Sequence, residues 1–209
     1  MSTTIWVPEL DKTMTGGAWR FEGTLDVDWE LCPLLPSRAF TKEAPKKLTY
    51  FELMEALKKL ALQPLDPDFY KKVQRGDFLI GGESTGYGHD HQHSAIALRG
   101  AGIAAVLCED TNHNFHRNCV HHGLPVVIVK CIMDAVKTGD KLELNIVEGW
   151  VKNLTTPKTL TFRPWPRFLL DIMLQGGLYP YMRQDPPVEK PAATTEIPSW
   201  VPRVARAPR

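Results

Sequence analysis

Histidines are concentrated in one short segment of the chain, together with glycines and acids. Residues 81–93 have the sequence GGESTGYGHDHQH, with His89, Asp90, His91 and His93 inside five positions. Glycines allow a backbone to approach a small ligand closely, and imidazole and carboxylate groups can transfer protons or bind metal ions. The composition of this segment therefore indicates a site for acid–base chemistry or metal binding.

The spacing of the histidines leaves both chemistries open. In an extended chain all three imidazoles would face one metal ion, whereas in a helix only His89 and His93 share a face. An apolar helical pattern follows directly at residues 95–98, so we rank acid–base catalysis above metal binding and expect no metal site. A helix N-terminus lowers the pKa of a nearby imidazole and keeps it able to accept a proton. We expect Asp90 or a neighbouring group to orient that imidazole.

A second polar segment begins at residue 109, directly after an apolar run at residues 103–108, and adds further titratable groups. Ligands of parallel α/β sheets bind at the carboxyl ends of strands, so the two polar segments are expected to meet. The predicted proton-transfer groups are His89, Asp90, His91 and His113. The predicted substrate contacts, which include backbone N–H groups and side chains that stabilise an oxyanion, are Gly86, Tyr87, Gly88, His93, Asp110, His116 and Arg117.

The elements that must position these groups alternate between strands and helices. Strands are predicted at residues 18–21, 78–80, 103–108 and 125–129, and an antiparallel strand and a hairpin at 141–147 and 149–162. Helices are predicted at residues 49–60, from the polar segment to Arg99, before Gly123 and at 166–174. Apolar strands separated by helices are typical of β-α-β units, so we predict an α/β fold with a parallel core.

Composition limits the class of protein. The net charge of +1 gives no basic field for nucleic-acid binding, and no apolar run is long enough for a membrane helix. The first residues lack a signal-peptide pattern, and the four scattered cysteines are typical of reduced thiols in a cytoplasmic protein. We expect no iron–sulfur cluster or other cofactor in this chain.

The two ends of the chain differ from its middle. We predict an N-terminal arm at residues 1–15 and one folded domain at residues 16–183. Residues 184–209 are rich in proline, alanine and arginine, which excludes a continuous helix or central strand, so we predict an extended C-terminal tail.

The polar segments also resemble a known family, the small subunit of isopropylmalate isomerase, which is the swivelling domain of the aconitase superfamily. Residues 82–94 align without a gap to its loop G-x-N-F-G-x-G-S-S-R-E-H-A. Residues 115–118 and 123–125 resemble its F-Y-R-N and G-L-P motifs, and residues 25–28 its N-terminal I-x-T-D loop. The resemblance covers residues 16–183 and implies a three-layer β/β/α swivelling domain like the aconitase C-terminal domain.

The chain departs from the family pattern where the family's chemistry lies. The family's Ser-Ser-Arg segment supplies a catalytic alkoxide and a substrate-carboxylate clamp, but His89, Asp90 and His91 hold those positions here. An imidazole cannot replace a bidentate guanidinium. The family's iron–sulfur cluster belongs to a separate large subunit, so it is implied here only if such a partner exists.

Three hypotheses follow. The leading one is a stand-alone lyase or isomerase that removes a proton α to a carbonyl, giving cyclisation, isomerisation or dehydration of a small or polyketide-like metabolite, acting alone or as a homo-oligomer. The first alternative is a small subunit of a heteromeric hydro-lyase whose large subunit carries an iron–sulfur cluster. The second alternative is a non-enzymatic metal- or metabolite-binding module.

Overall fold

The computed structural model describes residues 6–40 and 48–183. The strands in these ranges are β1 (Met14–Arg20), β2 (Leu25–Asp26), β3 (Phe78–Gly81), β4 (Thr85–Tyr87), β5 (Ala105–Cys108), β6 (Val126–Ile128), β7 (Lys141–Asn145), β8 (Trp150–Asn153) and β9 (Lys158–Thr161). The helices are α1 (Leu34–Arg38), α2 (Tyr50–Leu57), α3 (Phe69–Lys72), α4 (His93–Ala101), α5 (His113–His121), α6 (Ile132–Ala135), α7 (Arg167–Leu174) and α8 (Leu178–Met182). The predicted C-terminal tail and the first five residues of the predicted arm lie outside the described residues.

Within the described ranges, seven strands form one mixed sheet in the order β6-β5-β3-β1-β7-β8-β9. The pairs from β6 to β1 are parallel, and those from β1 to β9 are antiparallel. This arrangement confirms the predicted parallel core, the antiparallel strand and the hairpin. The strands β2 and β4 pair in parallel as a second, two-stranded sheet, which the sequence did not predict.

The central strands are buried on both faces, which explains their continuous apolar sequences. On one face, Leu79 and Val106 pack with Leu57 of α2 and Leu98 of α4. On the other face the apolar side chains come from parallel and antiparallel strands of the sheet and from helices α6 and α7. This second core contains Phe78, Ile80, Leu142, Leu144 and Val151. The result is the three-layer β/β/α domain that the resemblance implied.

Local signals in the sequence set the ends of the helices. The Thr49 hydroxyl accepts a hydrogen bond from the backbone N–H of Glu52, whose carboxylate accepts from the Thr49 N–H, so a capping box starts α2. Gly102 ends α4 in the left-handed conformation that glycine tolerates best. No helix in the described ranges is both long enough and apolar enough to cross a membrane.

Candidate functional site

The small parallel pair β2–β4 positions the candidate site. Leu25 pairs with Thr85, Asp26 pairs with Tyr87, and the Val27 N–H donates to the Tyr87 carbonyl at 2.9 Å. These bonds place the residues after β2 beside the histidine segment after β4. Asp28 thereby reaches the histidines, although more than sixty positions separate them in the sequence.

The carboxylate of Asp28 is the centre of the histidine cluster. Its side chain is only 6% exposed, and His91 Nδ1 lies 2.8 Å from Oδ1 and 3.0 Å from Oδ2. His89 Nδ1 lies 3.1 Å from Oδ2, and His93 Nε2 lies 3.8 Å from Oδ1. All three imidazoles face one acid because residues 89–92 precede the helix, which starts at His93. The helical geometry that we used to rank the two chemistries therefore does not apply to this segment.

The pairing with Asp28 determines which nitrogen of His91 can accept a proton. An ionised carboxylate only accepts hydrogen bonds, so the Nδ1–H group of His91 donates a hydrogen bond to Asp28. In the neutral ring, Nε2 then carries the free lone pair. This is the geometry of a general base with an orienting acid, and the ring is partly exposed to solvent.

His93 is buried, and its role differs from that of the other two histidines. Its Nε2 donates to the backbone carbonyl of Cys32 at 2.8 Å, and burial lowers the pKa of the imidazole. Asp28, His91 and His93 offer ligand atoms that all lie within 4.8 Å of one another, so they could hold a metal ion. Metal binding through Nε2 of His93 would require the bond to Cys32 to break, so the geometry favours proton transfer at His91 over metal coordination.

Asp90 has a different partner from the one we expected. Its Oδ1 accepts from the side-chain amide of Asn118 at 2.8 Å, and the same amide lies 3.3 Å from the His91 carbonyl. Asp90 thus anchors the histidine segment to α5, and the acid that contacts the His91 ring is Asp28. The sequence signal for Asp28 was the pair of acids in residues 25–28, which resembled the family's N-terminal loop.

Two grooves flank the histidine cluster. Tyr87, Gly88 and His89 line a groove of about 460 Å³, whose other wall includes Trp29 and Leu35. A smaller groove of about 200 Å³ is lined by seven residues, which are Leu34, Ser37, Arg38, His91, Gln92, His93 and Ile96. The larger groove has an apolar rim, because Trp29, Leu35 and Tyr87 are 66%, 70% and 60% exposed. Arg38 and His91 both line the smaller groove.

The titratable side chains of the second polar segment do not join the histidine cluster in the described structure. Asp110 is exposed and accepts from the Thr111 N–H, His113 is an exposed first residue of α5, and Arg117 donates to Asn114. His116 lines a separate cavity of about 550 Å³, where burial, and then His113, lowers its pKa. The two segments meet through backbone contacts, such as the bridge between Thr85 and Thr111, rather than through these side chains.

Gly86 was predicted to contact the substrate, but its surroundings in the structure are those of a packing position. It is buried in β4 with a positive φ of 72°, and a Cβ at this position would fall on the ring of Phe115. The glycine therefore permits close packing of β4 on α5. A Cβ at Gly88 would likewise clash, in this case with the carboxylate of Asp26. Unlike Gly86, Gly88 lines the larger groove.

Cysteines in the described residues do not form a cluster site. Cys32, Cys108 and Cys119 are buried and Cys131 is exposed. Burial raises the pKa of the Cys32 and Cys108 thiols to about 12, so neither is a ready thiolate ligand. In the described part of the chain the one group of three potential ligands is the Asp28 cluster, which contains no cysteine. The residues present do not fit an iron–sulfur cluster.

Comparison with known proteins gives a consistent answer. The chain is 37% identical over 169 residues to the isopropylmalate/citramalate isomerase small subunit of Methanocaldococcus jannaschii, covering 81% of this chain and 93% of that protein. It is 34% identical over 172 residues to a 3-isopropylmalate dehydratase small subunit of Methanopyrus kandleri, covering 82% and 94%. No family model matches the chain.

A solved structure supports the fold. The crystal structure of a 3-isopropylmalate dehydratase from M. jannaschii superposes with a TM-score of 0.69 at 24% identity, covering 82% of this chain and 93% of that one. This superposition confirms the predicted fold, and the sequence relatives confirm the resemblance inferred from the loop motifs. The chain belongs to the family of isopropylmalate dehydratase small subunits, within the lyases and isomerases of the aconitase superfamily.

Proposed function

We propose that this chain is the small subunit of a heteromeric hydro-lyase that dehydrates or isomerises a small hydroxy acid, with His91 as its proton-transfer group. The observation that carries the chemical part is the Asp28–His91 pair, in which a buried carboxylate orients a partly exposed imidazole. The relatives, which are small subunits by name, support the heteromeric part. This reading replaces a stand-alone enzyme as the leading hypothesis.

The proposed chemistry needs a base and a carboxylate contact. Nε2 of His91 takes the proton from the carbon α to the substrate carboxylate, and Asp28 stabilises the imidazolium that forms. Arg38 lines the same groove and would bind a substrate carboxylate. In the family's usual loop this task belongs to an arginine that the loop of this chain lacks. The iron–sulfur cluster of the large subunit would polarise the substrate hydroxyl.

The apolar rim of the larger groove fits the surface that such a partner would cover. Trp29, Leu35 and Tyr87 are exposed next to His89, so a large subunit docked there would enclose the histidine cluster. We expect Trp29→Ser to abolish co-purification with a large hydro-lyase subunit that contains iron. The matched control is Phe168→Ser, because Phe168 is 64% exposed on α7 and does not line either groove.

Kinetics of the reconstituted complex test the assignment of the base. His91→Ala should lower kcat by about 10²–10⁴-fold, the usual contribution of a general base. Asp28→Asn should lower it by about 10- to 100-fold, because a hydrogen bond to a charged group contributes about 1.5–3 kcal/mol. If His113→Ala lowered kcat while His91→Ala did not, the base would lie on α5 and the assignment would be wrong.

A stand-alone lyase or isomerase is the second candidate, favoured by the presence of both the base and its orienting acid in this one chain. Activity of the isolated chain on a small or polyketide-like metabolite, retained with a chelator present, would favour this candidate over the heteromeric one. The binding-module alternative requires a stoichiometric metal or metabolite. Metal analysis of the purified chain, with Asp28→Ala as the comparison, tests its metal form.

A further inference from the structure

A cavity of about 530 Å³ lies apart from both grooves at the histidine cluster. It is bounded by the end of α4, the end of α5 and helix α8. The lining residues that matter for its chemistry are Tyr50, Arg99, His121, Tyr179, Pro180 and Arg183. Among the described residues that line it, two are arginines and none is an acid, so the permanently charged groups of this lining are cations.

Arg99 is the most unusual group in this cavity. The residue is only 7% exposed, and its Nη1 donates to the Gly176 carbonyl at 2.7 Å. Its Nε is buried without a hydrogen-bond partner, and among the ion pairs of residues 6–40 and 48–183 none involves Arg99. Burying a guanidinium without a counter-ion is costly, and a buried charge is normally paired.

A second group in the lining points to the same kind of ligand. His121 Nδ1 is buried without a hydrogen-bond partner, and its ring lies 5.8 Å from that of Tyr179. Arg183 adds an exposed cation at the edge of the cavity. Tyr50, Tyr179 and Pro180 give the rest of the cavity apolar walls.

We propose that this cavity binds a small organic anion whose carboxylate or phosphate group pairs with the Arg99 guanidinium and whose apolar body packs between the tyrosines. A guanidinium matches either oxyanion with two parallel hydrogen bonds. The anion would supply the counter-charge that Arg99 lacks. This site is independent of the proposed function, because it shares no lining residue with the grooves at His89 and His91.

Calorimetric titration of the full-length chain at constant ionic strength tests the proposal. The probes are hexanoate, its uncharged amide hexanamide, and inorganic phosphate. We expect saturable binding of hexanoate or phosphate, and the probe that binds identifies the head group. Hexanamide should bind at least about tenfold more weakly than hexanoate, because it cannot pair with the guanidinium.

Variants separate this site from general anion binding. Arg99→Gln should weaken the binding at least about tenfold. Arg183→Gln should weaken it severalfold, and it keeps the test valid if loss of the Gly176 bond prevents Arg99→Gln from folding. The control is Arg167→Gln, which removes an exposed arginine of α7 that pairs with Asp171 outside the cavity. It should leave the affinity unchanged.

Several results would overturn the proposal. One is no saturable binding of either anion to the wild-type chain, and another is equal affinity in the wild type, Arg99→Gln and Arg183→Gln. A third concerns the acids of residues 184–209, which are Asp185, Glu189 and Glu196. If anions bound only after these were changed to Asn or Gln, the chain's own acids would be the counter-ions.

Discussion

His122 gives the protein a pH-dependent stability that can be measured. The imidazole is 6% exposed, its Nε2 donates to Gln92 Oε1 at 2.9 Å, and its Nδ1 accepts from the Tyr50 hydroxyl at 3.0 Å. The neutral ring is therefore fully hydrogen-bonded. Burial, and then the electrostatic effects of Arg99 and of the neighbouring His121, lowers the pKa of His122 to about 4.

The sign and size of the effect follow from this lowered pKa. An unfolded histidine titrates near pH ~6.5, so below that pH the unfolded chain binds a proton that the folded chain excludes. The stabilising contribution is complete above pH ~6.5 and is lost as the pH falls towards the folded value of about 4. At about 1.4 kcal/mol per pKa unit, the loss is about 3 kcal/mol.

Urea unfolding of the wild type and of His122→Gln between pH 8 and pH 4.5 measures this contribution. The free energy of unfolding of the wild type should fall by about 2–3 kcal/mol more than that of the variant, because glutamine does not titrate. His113→Gln is the control, since it removes an exposed histidine and should keep the wild-type pH dependence. Parallel pH profiles for the wild type and His122→Gln would refute a buried neutral His122.

Three further substitutions test the local structure through the free energy of unfolding in urea. Gly86→Ala should lower the free energy of unfolding by about 2–5 kcal/mol, because the new Cβ would overpack the site at a positive φ. Its control, Gly23→Ala, has a similar φ in open space and should lower it by about 1–2 kcal/mol. Equal losses would contradict the close packing at Gly86. Thr49→Ala removes the capping box and should cost about 1 kcal/mol, and no loss would contradict its role. Asn118→Ala should cost about 1–2 kcal/mol and raise amide hydrogen exchange around Asp90, where unchanged exchange would show that this anchor is unimportant.

The sequence predicted the elements whose signals are local. The helix predicted from residue 49, the helix predicted to run to Arg99 and the strand predicted at residues 103–108 are confirmed as α2, α4 and β5. Each depends on neighbouring residues, which are a capping box, a terminal glycine and a continuous apolar run. The strand β4 has only three residues, which begin at Thr85, and its partner β2 has two. Elements this short carry no readable periodicity, so their pairing could not be predicted.

The candidate site was predicted in part for the same reason. His89, His91 and His93 could be singled out because they are neighbours in the sequence. The acid that contacts them was not singled out, because Asp28 reaches them only through the pairing of β2 with β4. Asp90 was the acid nearest in sequence, and distance along the chain proved a poor guide to distance in space.

The β2–β4 pair has a consequence for how such a domain could operate. Leu25 and Thr85 are joined by backbone pairing, and the segments that follow them bring the carboxylate of Asp28 and the ring of His91 into contact within one domain. A swivelling motion of the whole domain would carry both groups together and leave their 2.8 Å separation unchanged. The proposed proton-transfer pair would therefore already be formed before a partner or a substrate binds.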